Sequence, residues 1–262
     1  MIIAKKSLGQ NFLIDKNIID KILDIVEIKD RSILEIGPGT GNLTQEILKR
    51  FPKKVIVVEK DQNLSSHLDN KFGPKIKIIN NDILKIDERK LEKDTLSVFG
   101  NLPYNISTEI ICKWILNIQN KNFWFSSLVL MFQKEVADRI ISPFNTKNYG
   151  RLSILANWKL NIKKICDIKP SSFSPKPKVD STVLYFQPKL NFFPIKNPKN
   201  LEKITRIFFM HRRKMLKKPY NNLFNDKLKT ASNLQINLNL RPQNLDFNTY
   251  YKLAKEYENL RN

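Results

Sequence analysis

Short apolar runs alternating with amphipathic segments between residues 32 and 141 leave this chain few folds to choose from. Ser32–Ile36, Val55–Val58, Ile76–Ile79, Leu96–Gly100 and Ser126–Phe132 are the apolar runs. Asn42–Phe51, Asp61–Lys71, Ile106–Leu116 and Gln133–Ile141 carry apolar residues at helical spacing. Val55-Ile56-Val57-Val58 shows no polar alternation, as a strand covered on both faces requires. The alternation predicts an α/β fold with a mostly parallel sheet. Upstream, residues 1–13 are basic and irregular. Asp15 is placed to cap a helix over 16–27, where Ile18, Ile19, Ile22, Ile25 and Val26 recur on one face.

Beyond Lys159 the pattern changes. Ile162–Ile168 and Val179–Phe186 read as strands joined by the proline-rich loop Pro170–Pro177, a hairpin-like pair closing the sheet. Asn191–Asn200, with two prolines and three asparagines, reads as a linker. Leu201–Leu216 and Phe247–Leu260 then suggest a small helical domain. The chain thus divides into residues 1–190 and 191–262. At 262 residues and 41% apolar content, it can bury a core without disulfides. Cys112 and Cys166 stand in no metal or redox spacing, and His67 and His211 are too few for a histidine-rich metal site, so no metal is expected. No signal-like or long apolar run occurs, which points to the cytosol and away from membranes.

Two clusters carry chemistry. Glu35-Ile36-Gly37-Pro38-Gly39-Thr40-Gly41 ends the first strand and opens a helix, the context in which a glycine loop binds a nucleotide. Gly37, Gly39 and Gly41 let the backbone turn sharply and approach a ligand. An NAD-type site also fits this loop. Glu59 ends the second strand, where a carboxylate can accept both ribose hydroxyls or simply face solvent. Asp82 follows the third strand and can accept an adenine amino group. Asn101-Leu102-Pro103-Tyr104 follows the fourth. An amide, a proline-stiffened turn and a ring suit the gripping of a flat base by its exocyclic amine, although the same residues also make ordinary strand-ending turns. A dehydrogenase needs neither Asp82 nor this tetrad. Four successive strand ends lie on the carboxyl edge of the sheet, where α/β ligands bind. Together they describe an S-adenosylmethionine site beside a base-binding site.

The formal charge of +21 calls for an acidic partner, and RNA fits best. AT-rich coding bias also raises lysine, but bias spreads charge evenly. Here the last 73 residues hold fifteen Lys/Arg against five Asp/Glu, and the first 189 hold 31 against 20. Lys203, Arg206, Arg212, Arg213, Lys214, Lys217 and Lys218 are the candidate phosphate contacts, which position RNA without reading bases; a solvated helix face is the alternative.

These motifs resemble the rRNA adenine N6-dimethyltransferases, and specifically the small-subunit (KsgA/RsmA) type, over nearly the whole chain. The resemblance implies a Rossmann-like class I methyltransferase with a mostly parallel seven-stranded sheet and a small all-α C-terminal domain. Lys6-Ser7-Leu8-Gly9-Gln10-Asn11-Phe12-Leu13 looks like the family's N-terminal motif, which lies over the cofactor. Asn11 and the Leu13 backbone are then contacts. Gly37 matches the glycine-loop contact, Glu59 the ribose acid, Asp82 the adenine acid, Asn101 the head of the tetrad and a further cofactor contact, and Tyr104 the tetrad's aromatic. Phe173 begins a run resembling the late Phe-x-Pro-x-Pro-x-Val motif; it is either a second stacking partner for the base or a buried loop anchor. Tyr149-Gly150-Arg151-Leu152-Ser153 resembles a segment concerned with RNA contact or structure. The large-subunit methyltransferase of macrolide resistance shares several motifs, but Phe208-x-x-x-Arg212-Arg213-Lys214-x-Leu216 looks like the small-subunit enzymes.

The implied reaction is dimethylation at N6 of two adjacent adenosines in the loop of the 3′-terminal hairpin of 16S rRNA, within an assembling small ribosomal subunit. S-adenosylhomocysteine is the product. Asn101 oxygen and the Leu102 carbonyl would accept hydrogen bonds from the amine, and Pro103 would aim that carbonyl. A non-catalytic assembly factor would be expected to show decay of the acids or the tetrad, and neither is decayed. A DNA adenine methyltransferase is disfavoured by the tail motif. A cytoplasmic monomer is the default.

Overall fold

The computed structural model describes residues 4–5, 9–118, 121–224 and 228–261. Lys6, Ser7 and Leu8 of the N-terminal motif lie outside the described residues. Contacts group the chain into two compact units: Met1–Lys113, Ile118–Ala137 and Ile162–Pro188 form one, and Trp114–Asn117, Asp138–Asn161 and Lys189–Asn262 the other.

The first unit begins with the short strand β1 (Phe12–Leu13) and helix α1 (Lys16–Leu23). The Asp15 carboxylate accepts from the amides of Asn17 and Ile18 and caps α1, which stops four residues short of the predicted end. Strands β2 (Ser32–Ile36), β3 (Lys54–Glu59), β4 (Lys77–Asn80), β5 (Leu96–Asn101) and β6 (Phe125–Gln133) alternate with helices α2 (Asn42–Leu48), α3 (Gln62–Phe72), α4 (Ser107–Asn117) and α5 (Lys134–Ile141), with α5 following β6. Strands β7 (Leu160–Ile168) and β9 (Ser181–Pro188) complete a seven-stranded sheet of order β4-β3-β2-β5-β6-β9-β7. Pairings among β2, β3, β4, β5 and β6 are parallel, and β9 runs antiparallel to β6. The sheet is therefore mixed and mostly parallel, with β7 and β9 neighbours as the hairpin-like reading required. Strands β2, β3 and β5 bury nearly every side chain, which is why they read as unbroken apolar runs.

The strand order reverses between β2 and β5. That switch point leaves a crevice beyond the carboxyl ends of both strands. A second ribbon was not legible in the sequence: β1 pairs antiparallel with the two-residue strand β8 (Phe173–Ser174), with Leu13 opposite Phe173.

In the second unit, α6 (Arg151–Lys159), α7 (Pro198–Met210) and α10 (Phe247–Asn259) pack together, with α8 (Lys217–Leu223) against α7. The short helix α9 (Lys229–Asn233) lies between α8 and α10 in the chain. The unit draws on residues 138–161 as well as those beyond 190, because α6 buries Ile154, Leu155, Ala156 and Trp158 and needs a partner on every side. Helix α6 went unpredicted for the same reason: buried all round, it has no amphipathic stripe. The helix predicted over Leu201–Leu216 breaks after Met210, where His211 leaves helical geometry and Lys214 N–H turns back to the His211 carbonyl at 2.8 Å.

Candidate active site

The crevice at the switch point is lined by Gly9, Gln10, Asn11 and Phe12 from the N-terminal arm and by Gly37 and Gly39 from the loop after β2. Glu59 and Lys60 at the end of β3, Asn81 and Asp82 after β4, and Asn101 to Ile106 after β5 complete it. Four strand ends read separately in the sequence thus share one cleft.

The glycine loop is shaped by what a side chain would strike. Gly39 has φ +58°, and a Cβ there would come within 2.6 Å of the Phe12 ring. Its amide donates to Glu59 Oε2 at 3.3 Å. Gly41 has φ +79° and is the N-cap of α2; a Cβ on it would meet the Phe72 ring at 2.5 Å. Gly41 does not line the cleft, so the geometry supports a capping role in place of the cofactor contact expected from the motif. Leu13 also sits apart. Its side chain is in the core, its carbonyl accepts from Asn42 Nδ2 at 2.8 Å, and it lines a smaller hollow with Glu35 and Met131.

Glu59 is 6% exposed. Burial pushes its carboxyl up from the ordinary range, against the opposing pull of the Asp61 and Gly39 amides. Oε1 accepts the Asp61 amide at 2.9 Å and Oε2 the Gly39 amide, so the group is locked in place with lone pairs to spare. Behind it, Asn80 Nδ2 donates to the Glu59 carbonyl at 2.9 Å and to Ser65 Oγ at 2.9 Å. Asp82 Oδ1 accepts the Leu84 amide at 3.0 Å, and Oδ2 pairs with Lys60 Nζ at 2.8 Å. The bond from Lys60 holds the Asp82 carboxyl below its usual value. Two carboxylates at successive strand ends form an acceptor-only set, and Gly37 and Gly39, which carry no Cβ, line the same cleft. That set fits the hydroxyl and amino donors of a nucleoside, and hence S-adenosylmethionine.

Asn101 Nδ2 donates to the Asn11 carbonyl at 2.7 Å. A primary amide held by its nitrogen presents its oxygen elsewhere as an acceptor. Leu102 is buried beneath the turn, and the Pro103 carbonyl accepts the Ile106 amide at 3.1 Å, which carries the chain into α4. The half-buried Tyr104 hydrogen-bonds through its hydroxyl to Ser181 at the start of β9, and its hydroxyl is pushed up by burial. Phe173 does not join this group. It is 1% exposed and packed in the core that includes Leu13, Met131 and Val183. Of its two readings, the structure favours the loop anchor over the stacking ring.

Several residues escaped the sequence reading. Phe12 walls the cleft against Gly39, Lys60 pairs with Asp82, and Asp61 caps α3 while binding the arm. Glu35 is 1% exposed, accepts Thr44 Oγ1 at 2.7 Å and is raised to about 7 by burial. Two of these had a signal: Phe12 stands inside the N-terminal motif, and Asp61 is an acid just before a helical pattern.

The tail candidates separate into two groups. Arg213, Lys214, Lys217 and Lys218 line one open groove with Asn239 and Arg241, the last not anticipated. Arg212 instead donates to the Thr146 carbonyl at 3.0 Å, and among the described residues its buried Nε meets no hydrogen-bond partner. Lys203 lies over the Tyr257 ring, and Arg206 is exposed on α7. In the Tyr149–Ser153 segment, Tyr149 is buried between Phe209 and Phe247, Arg151 pairs with Glu202 at 2.6 Å and Ser153 Oγ donates to the Arg139 carbonyl. These contacts are structural. Among the described residues, no group of metal-ligating side chains gathers, and no helix is long and apolar enough to cross a membrane.

A family model described as ribosomal RNA adenine dimethylase matches residues 2–259. The ribosomal RNA small subunit methyltransferase A of Pelagibacter ubique (strain HTCC1062) is 66% identical over 258 residues, 98% of each chain. The crystal structure of a dimethyladenosine transferase from Plasmodium falciparum superposes with a TM-score of 0.79 at 29% identity, covering 95% of this chain and 98% of that one. A 23S rRNA methyltransferase, ErmE, shares the fold with a TM-score of 0.68 at 21% identity, covering 95% of this chain and all of that one.

Proposed function

The chain belongs to the ribosomal RNA adenine dimethylase family, and from that membership we propose that it dimethylates N6 of two adjacent adenosines in the 3′-terminal hairpin loop of 16S rRNA. It does so as a cytoplasmic monomer acting on an assembling small subunit. The observation that carries the reading is the amide geometry: with Asn101 Nδ2 taken by the Asn11 carbonyl, Oδ1 is the atom left to accept from an amine.

Glu59 and Asp82 hold the ribose and adenine of S-adenosylmethionine, Gly37 and Gly39 give its backbone approach, and Asn11 lies in the covering arm. When bound, the cofactor supplies an electrophilic methyl on a sulfonium that is already a good leaving group. No metal is called for. The difficulty lies with the nucleophile, because the N6 lone pair is delocalised into the ring. Hydrogen bonds accepted by Asn101 Oδ1 and the Leu102 carbonyl favour a pyramidal nitrogen with its lone pair free. Positive charge grows on N6 in the transition state, so these fixed dipoles stabilise it more than the substrate. Alignment in the cleft supplies much of the remainder. Tyr104 stacks on the extruded base, returning about 1–3 kcal/mol against the few that flipping costs. Arg213, Lys214, Lys217 and Lys218 hold phosphates.

Incubating the protein with unmethylated small subunits and labelled S-adenosylmethionine tests this. The expected product is dimethyladenosine at two adjacent positions, lost in Asn101→Ala by about 100-fold in kcat at saturating cofactor. Label confined to large-subunit rRNA would overturn the reading.

A further inference from the structure

Asp61 has no role in the chemistry above, yet it is 4% exposed and fully engaged. Oδ1 accepts the Asn63 amide at 2.9 Å and caps α3. Oδ2 takes Lys5 Nζ at 2.8 Å and Gln10 Nε2 at 3.2 Å, both from the N-terminal arm. Burial raises this carboxyl, but Lys5, the Asn63 amide and Gln10 together outweigh burial and leave it below the ordinary range. One residue beyond Gln10, the Asn11 carbonyl takes the Asn101 amide nitrogen. Beyond that, Phe12 and Leu13 are held by pairing with β8. The arm is therefore fastened on both sides of the carbonyl that orients the tetrad.

That orientation matters because a primary amide has a donor end and an acceptor end. Turned over, Asn101 would present N–H to the N–H of the target amine. We propose that Asp61 is a positioning residue for methyl transfer: by latching Lys5 and Gln10 it fixes the Asn11 carbonyl, which holds Asn101 with its oxygen toward the amine. The proposal rests on the function assigned above. Asp61 also donates its amide to Glu59 Oε1, so the latch and the ribose acid meet in one residue.

Asp61→Asn keeps an oxygen to cap α3 and removes the charge that holds Lys5. At saturating S-adenosylmethionine its kcat is expected to fall about tenfold, with KM for RNA within about twofold and thermal stability nearly unchanged. Tryptic cleavage after Lys5, followed without cofactor, is expected to quicken about fivefold as the arm loosens. Lys5→Ala, at the half-exposed end of the pair, is expected to lose about two- to threefold in kcat. A loss that vanishes at saturating cofactor would make the arm a lid alone and overturn the proposal, as would unchanged cleavage after Lys5. A wild-type protein that methylates no small-subunit RNA would overturn the function, while the cleavage rates still report on the latch.

Discussion

A carboxyl group shut away from water is costly to ionise, and Glu35 is such a group at the head of the glycine loop. Burial is the main cause of its rise from 4.5 to about 7, with Glu59 adding repulsion and Thr44 opposing both. The stability consequence has a definite sign. Below pH 4.5 the acid is protonated whether the chain is folded or not, and the native state bears no penalty. As pH rises from 4.5 to about 7, the unfolded chain releases a proton that the native state keeps, and stability falls by about 3 kcal/mol. Glu35→Gln retains an oxygen for Thr44 and removes the titration. Urea denaturation at pH 4 and pH 8 is therefore expected to move the stability difference by about 3 kcal/mol in favour of the variant. An equal difference at both pH values would mean that Glu35 ionises freely in the folded protein.

Glu258, on the last turns of α10, shows how one side chain can define an element elsewhere. It is 4% exposed, and its carboxylate accepts the amides of Lys196 at 3.1 Å and Asn197 at 2.6 Å, plus Asn200 Nδ2 at 3.2 Å. Asn197 is the N-cap of α7, so the segment read as a linker is the anchored entry to a helix. Glu258→Ala is expected to cost about 2–3 kcal/mol, with the Lys196 and Asn197 amides losing hydrogen-exchange protection first. Unchanged exchange there would remove Glu258 from that role. Elements of this kind mark the limit of what a sequence reveals. β2, β3 and β5 were legible because burial on both faces leaves an unbroken apolar run, and the strand-end acids followed from where those runs stop. α6 was not, because burial all round erases the helical period. The β1–β8 ribbon joins Leu13 to Phe173, and nothing local in either residue announces a partner so distant. The same limit hid the Lys60–Asp82 and Lys5–Asp61 pairs, whose members are ordinary charges until folding brings them together.

For the whole molecule, a charge of +21 favours association with any polyanion, so net charge alone says little about where RNA sits. Placement of the charges says more. Arg213, Lys214, Lys217 and Lys218 share one groove with Arg241, and no acidic side chain lines it among the described residues. Each phosphate neutralised releases counterions, and the logarithm of affinity then falls with the logarithm of salt by about 0.7 to 0.9 per contact. Replacing Arg213, Lys217 and Lys218 together by alanine is expected to lower that slope by about 2, with weaker binding at 100 mM salt and unchanged affinity for S-adenosylmethionine. Arg212→Ala belongs to a different class. Its guanidinium is bound to the Thr146 carbonyl, so its loss is expected to appear in thermal stability more than in the salt slope. Filter binding of 3′-terminal 16S fragments across a salt series separates the two. A triple variant with the wild-type slope would show that the groove touches no phosphate. The charge excess of the tail would then serve only the long-range attraction that any basic surface provides.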